Sequence, residues 1–158
     1  MSFQISKTAQ DWFKKINNKS PFDTSPNMDF YYMCFLLGIN STKQKQLNEP
    51  EDGKPFIAAN ATWPGLYKDN SKTIIAMLLE SELENFSIDR RDKDAVKAHL
   101  NKYLKPSSPF DLTDNAIKIM DNYSYTGFLE LQEEIHEAPS QVNVFLSQYH
   151  KVLTKYLS

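Results

Sequence analysis

The stretch FYYMCFLLGI, residues 30–39, decides the fold. Every residue in it except Gly38 is apolar or aromatic, and none is charged. Apolar side chains would therefore occupy every face of a helix, which is typical of helices that are buried on most sides. The run is about half the length of the ~20 residues that cross a bilayer. It predicts a central core helix with Phe30 to Leu37 nearly inaccessible, and an oligomer interface is the alternative.

Local signals bound this helix. Prolines interrupt the leader SPFDTSPN that precedes it, and Asn27 or Ser25 is expected to cap its start. Gly38 fits the left-handed position at its end. Cys34 lies inside the run and is the single cysteine of the chain, which excludes an internal disulfide and a multi-cysteine metal site. A cysteine in such surroundings is usually an inert small hydrophobe.

Periodic apolar residues predict five further helices. The first follows Ser6, a suitable N-cap residue, and Trp12 and Phe13 are predicted to dock it on the core, with a partner surface as the alternative. Gly127 lies within one long apolar stripe and indicates either a close helix contact or a break, so one helix or two stays open there. These five helices are expected at about residues 7–17, 71–86, 89 or 92 to 105, 113–137, and from 140 onward, and Phe86 is expected on the buried stripe of the second.

Composition agrees with a helical fold. The 158 residues suit one compact domain, and 41% hydrophobic with 24% charged residues is an ordinary globular mixture. Only 4 glycines are present, which favours helices over a turn-rich β fold. The prediction is an all-α class: residues 1–158 form a single helical domain of about six helices, with a long ordered loop at 40–70 and room for a short β-hairpin near Pro55.

The chain is expected to be soluble and cytoplasmic, with no membrane partner. Its N-terminus MSFQISKTAQDWFKK lacks the apolar stretch and cleavage site of a signal peptide. No apolar run is long enough to span a bilayer. The formal net charge of −2 gives no global basic field that would attract nucleic acid.

The long connection carries the aromatic residues that we predict to bind a partner. In KPFIAANATWPGLY, Phe56, Trp63 and Tyr67 alternate with turn residues. Pro64 and Gly65 would fix a turn directly after Trp63, and aromatic rings beside a rigid turn are common binding hot spots. The alternative is that Trp63 only pins the loop to the core.

Residues that carry chemistry are sparse. His99, His136 and His150 fall on three different predicted helices without a His or Cys partner at metal spacing, and each is expected to be solvated or capping. No glycine-rich phosphate loop or nucleophile elbow is present. We therefore predict no catalytic residue, no metal and no cofactor. A small enzyme with a site built from the long loop is the least favoured alternative.

Charge is segregated along the chain. From Arg90 to Lys105, two arginines and four lysines stand against Asp92 and Asp94, a local net charge of +4. Neighbouring helices of opposite charge would explain this, and a face that binds a phosphate backbone is the functional alternative. The candidate nucleic-acid-binding residues are Arg90, Arg91, Lys93 and Lys97.

Three stretches carry a family resemblance: FYYMCFLLGI, NYSYTGFLELQEEI and VNVFLSQYHKVL. Together they resemble small helical accessory proteins encoded beside bacterial DNA-modification systems of the phosphorothioation type and beside phage-defence systems. The resemblance implies an accessory subunit that works with larger DNA-acting proteins, and it transfers no catalytic residue. The expected function is thus a non-catalytic interaction module with larger protein partners. Direct nucleic-acid binding is the runner-up, and homo-oligomerisation stays open.

Overall fold

A computed structural model of the protein describes residues 2–16, 26–41, 47–56, 63–64 and 67–157, leaving aside the side chains of residues 109 and 110. Helices make up most of this part of the chain, which confirms the all-α prediction. The elements in chain order are β1 Gln4–Ser6, α1 Lys7–Lys14, α2 Pro26–Ser41, β2 Gly53–Pro55, α3 Tyr67–Asn85, α4 Lys93–Leu100, β3 Leu104–Lys105, β4 Ser108–Leu112, α5 Asp114–Ile135 and α6 Val142–Leu157.

Helices α2 and α5 form the centre of the fold, and their mutual interface is the largest between any two helices. Two glycines allow this approach. A Cβ atom at Gly127 would lie 1.7 Å from the backbone oxygen of Cys34, and one at Gly38 would lie 1.9 Å from the oxygen of Tyr123. The prediction that Gly38 ends its helix is therefore wrong, because α2 continues to Ser41. Gly127 marks a close contact, and α5 is a single helix.

Two apolar clusters flank this central pair. The first joins α2 and α5 to α1 and α6, and its centre is a set of stacked and edge-to-face rings around Phe30. There the Phe13 ring stacks on Phe30 at 4.4 Å between centroids, and the Trp12 ring lies 5.9 Å from it. The predicted docking of α1 by these two rings is confirmed, as is the Ser6 cap, whose hydroxyl accepts from Ala9 N. The second cluster joins α2 and α5 to α3 and the β3–β4 segment.

The buried character of α2 has one exception. Phe30, Tyr31, Phe35 and Leu37 have no accessible surface. A stripe at helical spacing is only partly buried. It consists of Asp29, Tyr32, Met33, Leu36, Ile39 and Asn40. The prediction that the whole of Phe30 to Leu37 is nearly inaccessible is therefore wrong along this stripe, because no helix of the described chain covers it completely.

Short strands tie the irregular segments to the body. The strand near Pro55 is present as β2, and its antiparallel partner is the N-terminal strand β1, with Ile5 opposite Lys54. Strands β3 and β4 form a second antiparallel pair in which Leu104 lies opposite Leu112. Because this hairpin begins at Leu104, α4 ends at Leu100 instead of reaching the predicted Lys105.

Other boundaries also differ from the sequence prediction. Helix α3 begins at Tyr67, and Ser71, predicted as its cap, donates its hydroxyl to Lys68 O within the first turns. Asn27 lies inside α2, which starts with Pro26 as is common at a first helical position. The Ser25 cap and the Gly65 turn fall outside the described residues.

Candidate binding surfaces

A groove beside α4 gathers most of the predicted nucleic-acid-binding residues. It has a volume of about 380 Å³. Asp92 caps α4 by accepting from Ala95 N at 3.1 Å, and this fixes the helix start just before Lys93. The hairpin then places its first residues beside the helix. The resulting groove, called the basic groove below, is lined by Arg90, Lys93, Val96, Lys97, Leu100, Asn101, Leu104, Lys105 and Pro106.

The basic groove combines a cationic rim with an apolar floor. Val96 and Leu100 lie one turn apart on α4, and Leu104 and Pro106 follow from the hairpin segment. Among the described residues, Lys93, Lys97 and Lys105 make no ion pair. Three of the four cations around this apolar surface are therefore without an ion-pair partner among the described residues.

The two arginines behave differently. Arg90 lines the groove and pairs with Glu80 of α3, and both side chains are about half exposed. An exposed pair of this kind adds little stability, about 0–1 kcal/mol, so Arg90 can exchange it for another anion at small cost. Arg91 does not line the groove: its Nε lies 3.2 Å from Asp89 Oδ1, and its side chain is 92% exposed. Of the four predicted residues, the structure brings Arg90, Lys93 and Lys97 together and leaves Arg91 outside.

The three aromatic residues predicted to bind a partner all pack on the second apolar cluster, each on a different ring. Their contacts are Phe56 with Tyr31 at 5.2 Å, Trp63 with Phe3 at 5.0 Å and Tyr67 with Tyr32 at 5.7 Å between centroids. All three rings are partly buried. Trp63 therefore does pin its segment to the body, while part of its surface remains accessible. Its role in binding stays a prediction.

Buried polar groups form a network between α3, α4 and α5. Tyr103 Oη donates to Glu82 Oε2 at 3.1 Å and lies 3.2 Å from His99 Nε2, and Tyr123 also bonds to Glu82. Burial raises the pKa of Glu82, and burial together with the nearby Lys102 lowers the pKa of His99. His99 is buried, so the expectation that it is solvated or capping is wrong. A local sequence pattern does not reveal this burial, because Glu82, which completes the network, comes from α3.

This network does not form an accessible site, since its carboxylate, imidazole and phenol groups are at most 3% exposed. Across the described residues, no group of three or more His, Cys, Asp or Glu side chains is placed to hold a metal ion. Cys34 is buried, and burial raises the pKa of its thiol. An enzyme site built from the long loop stays a prediction, because much of that loop falls outside the described residues.

Comparisons with protein-family models, with curated proteins and with solved structures find no match to this chain. The resemblance to accessory proteins of bacterial DNA-modification and phage-defence systems therefore stays a prediction. Of the helices described, none is both long enough and apolar enough to cross a membrane.

Proposed function

We propose that the protein is a non-catalytic interaction module whose basic groove binds an acidic, amphipathic segment of a larger protein. The observation that carries this proposal is the apolar floor enclosed by Arg90, Lys93, Lys97 and Lys105. Carboxylates of the segment would pair with the rim, and its apolar side chains would cover the floor. In such interfaces the charges set orientation and association rate, and the apolar anchors supply most of the affinity.

The composition of the groove favours a peptide segment over nucleic acid. Single strands bind through aromatic rings on which bases stack, and none of the described residues that line the groove is aromatic. Bidentate phosphate contacts require arginine, and Arg90 is the only arginine in the groove. A nucleic acid would pair with the cations of the rim but would leave the apolar side chains of Val96, Leu100 and Leu104 exposed to water.

The wider setting of the proposal rests on the resemblance in residues 30–39, 122–135 and 142–153. In that setting the protein would be an accessory subunit of a cytoplasmic bacterial complex that acts on DNA or in phage defence. The larger subunits of that complex are the expected source of the acidic segment.

Fluorescence anisotropy with a labelled peptide tests the groove. The probe is a short Leu/Glu peptide with helical periodicity, and a Leu/Lys peptide of the same pattern is its control. Lys93→Glu/Lys97→Glu should weaken binding of the Leu/Glu peptide at least about tenfold, the equivalent of about 1.4 kcal/mol. The matched variant Lys14→Glu/Lys151→Glu makes the same charge change at exposed sites on α1 and α6 and should retain the affinity within about twofold.

Two results would contradict the proposal. Equal weakening by both double variants would mean that only the overall charge matters. Binding of the Leu/Lys peptide as tightly as the Leu/Glu peptide would mean that the apolar floor acts without the rim.

Direct nucleic-acid binding is the second candidate, and the convergence of four cations on one groove favours it. Affinity for labelled single- and double-stranded DNA should then fall steeply with salt, and each lost phosphate contact should flatten that slope by roughly one unit. Arg90→Ala should produce this change and Arg91→Ala should not, because only Arg90 lines the groove. Absence of binding at low salt would remove this candidate and leave the peptide segment.

A further inference from the structure

A second cavity lies between the first turns of α2 and α3, away from the basic groove. Its volume is about 350 Å³, within the range of about 300–1,000 Å³ that is usual for small-molecule sites. We call it the tyrosine cavity. The residues that line it are Asp29, Tyr32, Tyr67, Asn70, Thr73 and Ile74. Tyr67 was singled out from the sequence, but Asp29 and Tyr32 were not.

The described residues that line this cavity carry negative charge and no positive charge. Asp29 is the only charged residue of α2 and, among the described residues, the only charged one that lines the cavity. Within the described chain no lysine or arginine lies at ion-pair distance from it. Its Oδ1 accepts a hydrogen bond from Tyr67 Oη. Burial raises the pKa of Asp29 despite that bond, so this carboxylate is partly desolvated, and no described residue supplies it with a countercharge.

Two rings stand beside this carboxylate. The Tyr32 and Tyr67 rings are set at 68° with centroids 5.7 Å apart, so they form a corner of the cavity. The bond from Tyr67 to Asp29 joins ring and carboxylate into one unit. An aromatic face attracts an organic cation within about 6 Å of its centroid, by about 0.5–2 kcal/mol according to its exposure. Ile74 adds an apolar wall that suits carbon substituents.

We propose that the tyrosine cavity binds an organic cation, with an alkylammonium group held between the Asp29 carboxylate and the Tyr32 and Tyr67 rings. A carboxylate alone would take a hydrated metal ion equally well, whereas rings and an apolar wall favour a cation that carries carbon. This site is separate from the basic groove and does not depend on it. The bond between Tyr67 and Asp29 also fixes the start of α3 against α2, so the test has to separate ligand binding from stability.

Chemical shift changes of the ¹⁵N-labelled protein on addition of choline chloride test the proposal. The neutral control is 3,3-dimethylbutan-1-ol, which has the shape of choline with carbon in place of the charged nitrogen. Choline should shift the amides of Asp29, Tyr32 and Tyr67 in a saturable way. The neutral alcohol should bind at least about tenfold less tightly, because both the carboxylate and the ring quadrupoles act on charge. This comparison uses the unaltered protein and cannot be affected by a folding defect.

Variants then locate the site. Asp29→Asn keeps an oxygen that can accept from Tyr67 and removes the charge, so choline binding should weaken at least about tenfold while thermal unfolding changes little. Its matched control is Asp69→Asn, an exposed carboxylate two residues after Tyr67, which should leave binding unchanged. Tyr32→Leu removes one ring and should also weaken binding.

Three outcomes would overturn the proposal: no saturable shift with choline, equal binding of the neutral alcohol, or equal weakening by Asp69→Asn. A trimethyllysine peptide distinguishes the source of the cation. Tighter binding of choline than of this peptide assigns the site to a free small molecule, and the reverse assigns it to a basic side chain of a protein. Both results support an organic-cation site.

Discussion

Asp121 provides a stability test whose size follows from the structure. This carboxylate of α5 is 5% exposed and has no ion-pair partner in the described chain. Its Oδ1 accepts from Tyr31 Oη at 2.6 Å and from Gln4 N at 3.1 Å, so it connects α5 to α2 and to strand β1. Burial raises its pKa from 3.8 to about 7, although both hydrogen bonds act to lower it.

The sign of the pH effect follows from this shift. The folded protein holds the Asp121 proton more tightly than the unfolded chain does, so the group favours folding below about pH 4 and loses that contribution as the pH rises to about 7. A shift of about three pKa units at 1.36 kcal/mol per unit sets an upper bound of about 4 kcal/mol. The loss is nearly complete at about pH 8, and above that the free energy of unfolding no longer depends on the titration of Asp121.

Urea unfolding of the wild-type protein and of Asp121→Asn between pH 4.5 and 8 measures this contribution. An asparagine oxygen can accept both hydrogen bonds and carries no charge, so the variant should gain several kcal/mol relative to the wild type as the pH rises. Other titrating groups are common to both proteins and cancel in the difference. Two results would refute the reasoning. A pH-independent difference would mean that folding does not shift the pKa of Asp121, and a difference that falls with rising pH would mean that the folded protein stabilises the ionised carboxylate.

Five further substitutions, arranged as three tests, probe the fold by urea unfolding. Gly127→Ala should cost at least about 3 kcal/mol because its Cβ meets a backbone oxygen of α2 that cannot move alone, whereas Gly53→Ala meets only the end of a flexible side chain and should cost about 1 kcal/mol or less. Trp63→Ala should cost about 1–3 kcal/mol, less than the ~3–5 kcal/mol lost when a fully buried ring is removed. A negligible loss of stability would contradict the packing of Trp63 on Phe3. Phe35→Asp should abolish cooperative unfolding, and Leu36→Asp, on the partly buried stripe, should remain folded; equal effects would contradict the stripe.

Features governed by local rules were predictable from the sequence. The Ser6 cap and the Asp92 cap, the latter one of two alternatives for the start of α4, depend on residues within one turn of the chain, and both are present. The same is true of α6, because apolar residues at helical spacing predicted this helix and its buried residues Val142, Phe145, Tyr149 and Val152 keep that spacing. Phe86 shows the limit: it continues the stripe of α3, but the helix ends at Asn85 and the ring is 60% exposed. A stripe predicts burial only as far as the helix extends.

Features that depend on distant partners were not predictable. Gly38 has the local signature of a helix end, and only the position of α5 shows that it permits a close contact. The cationic rim of the basic groove was visible as a run of charge. The apolar floor of the groove was not visible in the sequence. It forms only because α4 ends at Leu100, which allows the chain to turn and place Leu104 beside the helix. Asp29 did offer a signal, as the lone charge in an otherwise uncharged helix.

The basic groove and the buried polar network are parts of one arrangement. His99 is the only fully buried residue of α4, all of which is described, so apolar packing contributes little to the position of this helix. Tyr103 Oη lies between His99 on α4 and Glu82 on α3, and Thr113 Oγ1 donates to Lys102 O at 2.8 Å and so connects the same segment to the start of α5. Directional hydrogen bonds therefore position the rim of the groove. Because an unpaired buried polar group costs about 1–3 kcal/mol, these bonds hold α4 in one orientation and keep Lys93 and Lys97 on the same side of the floor.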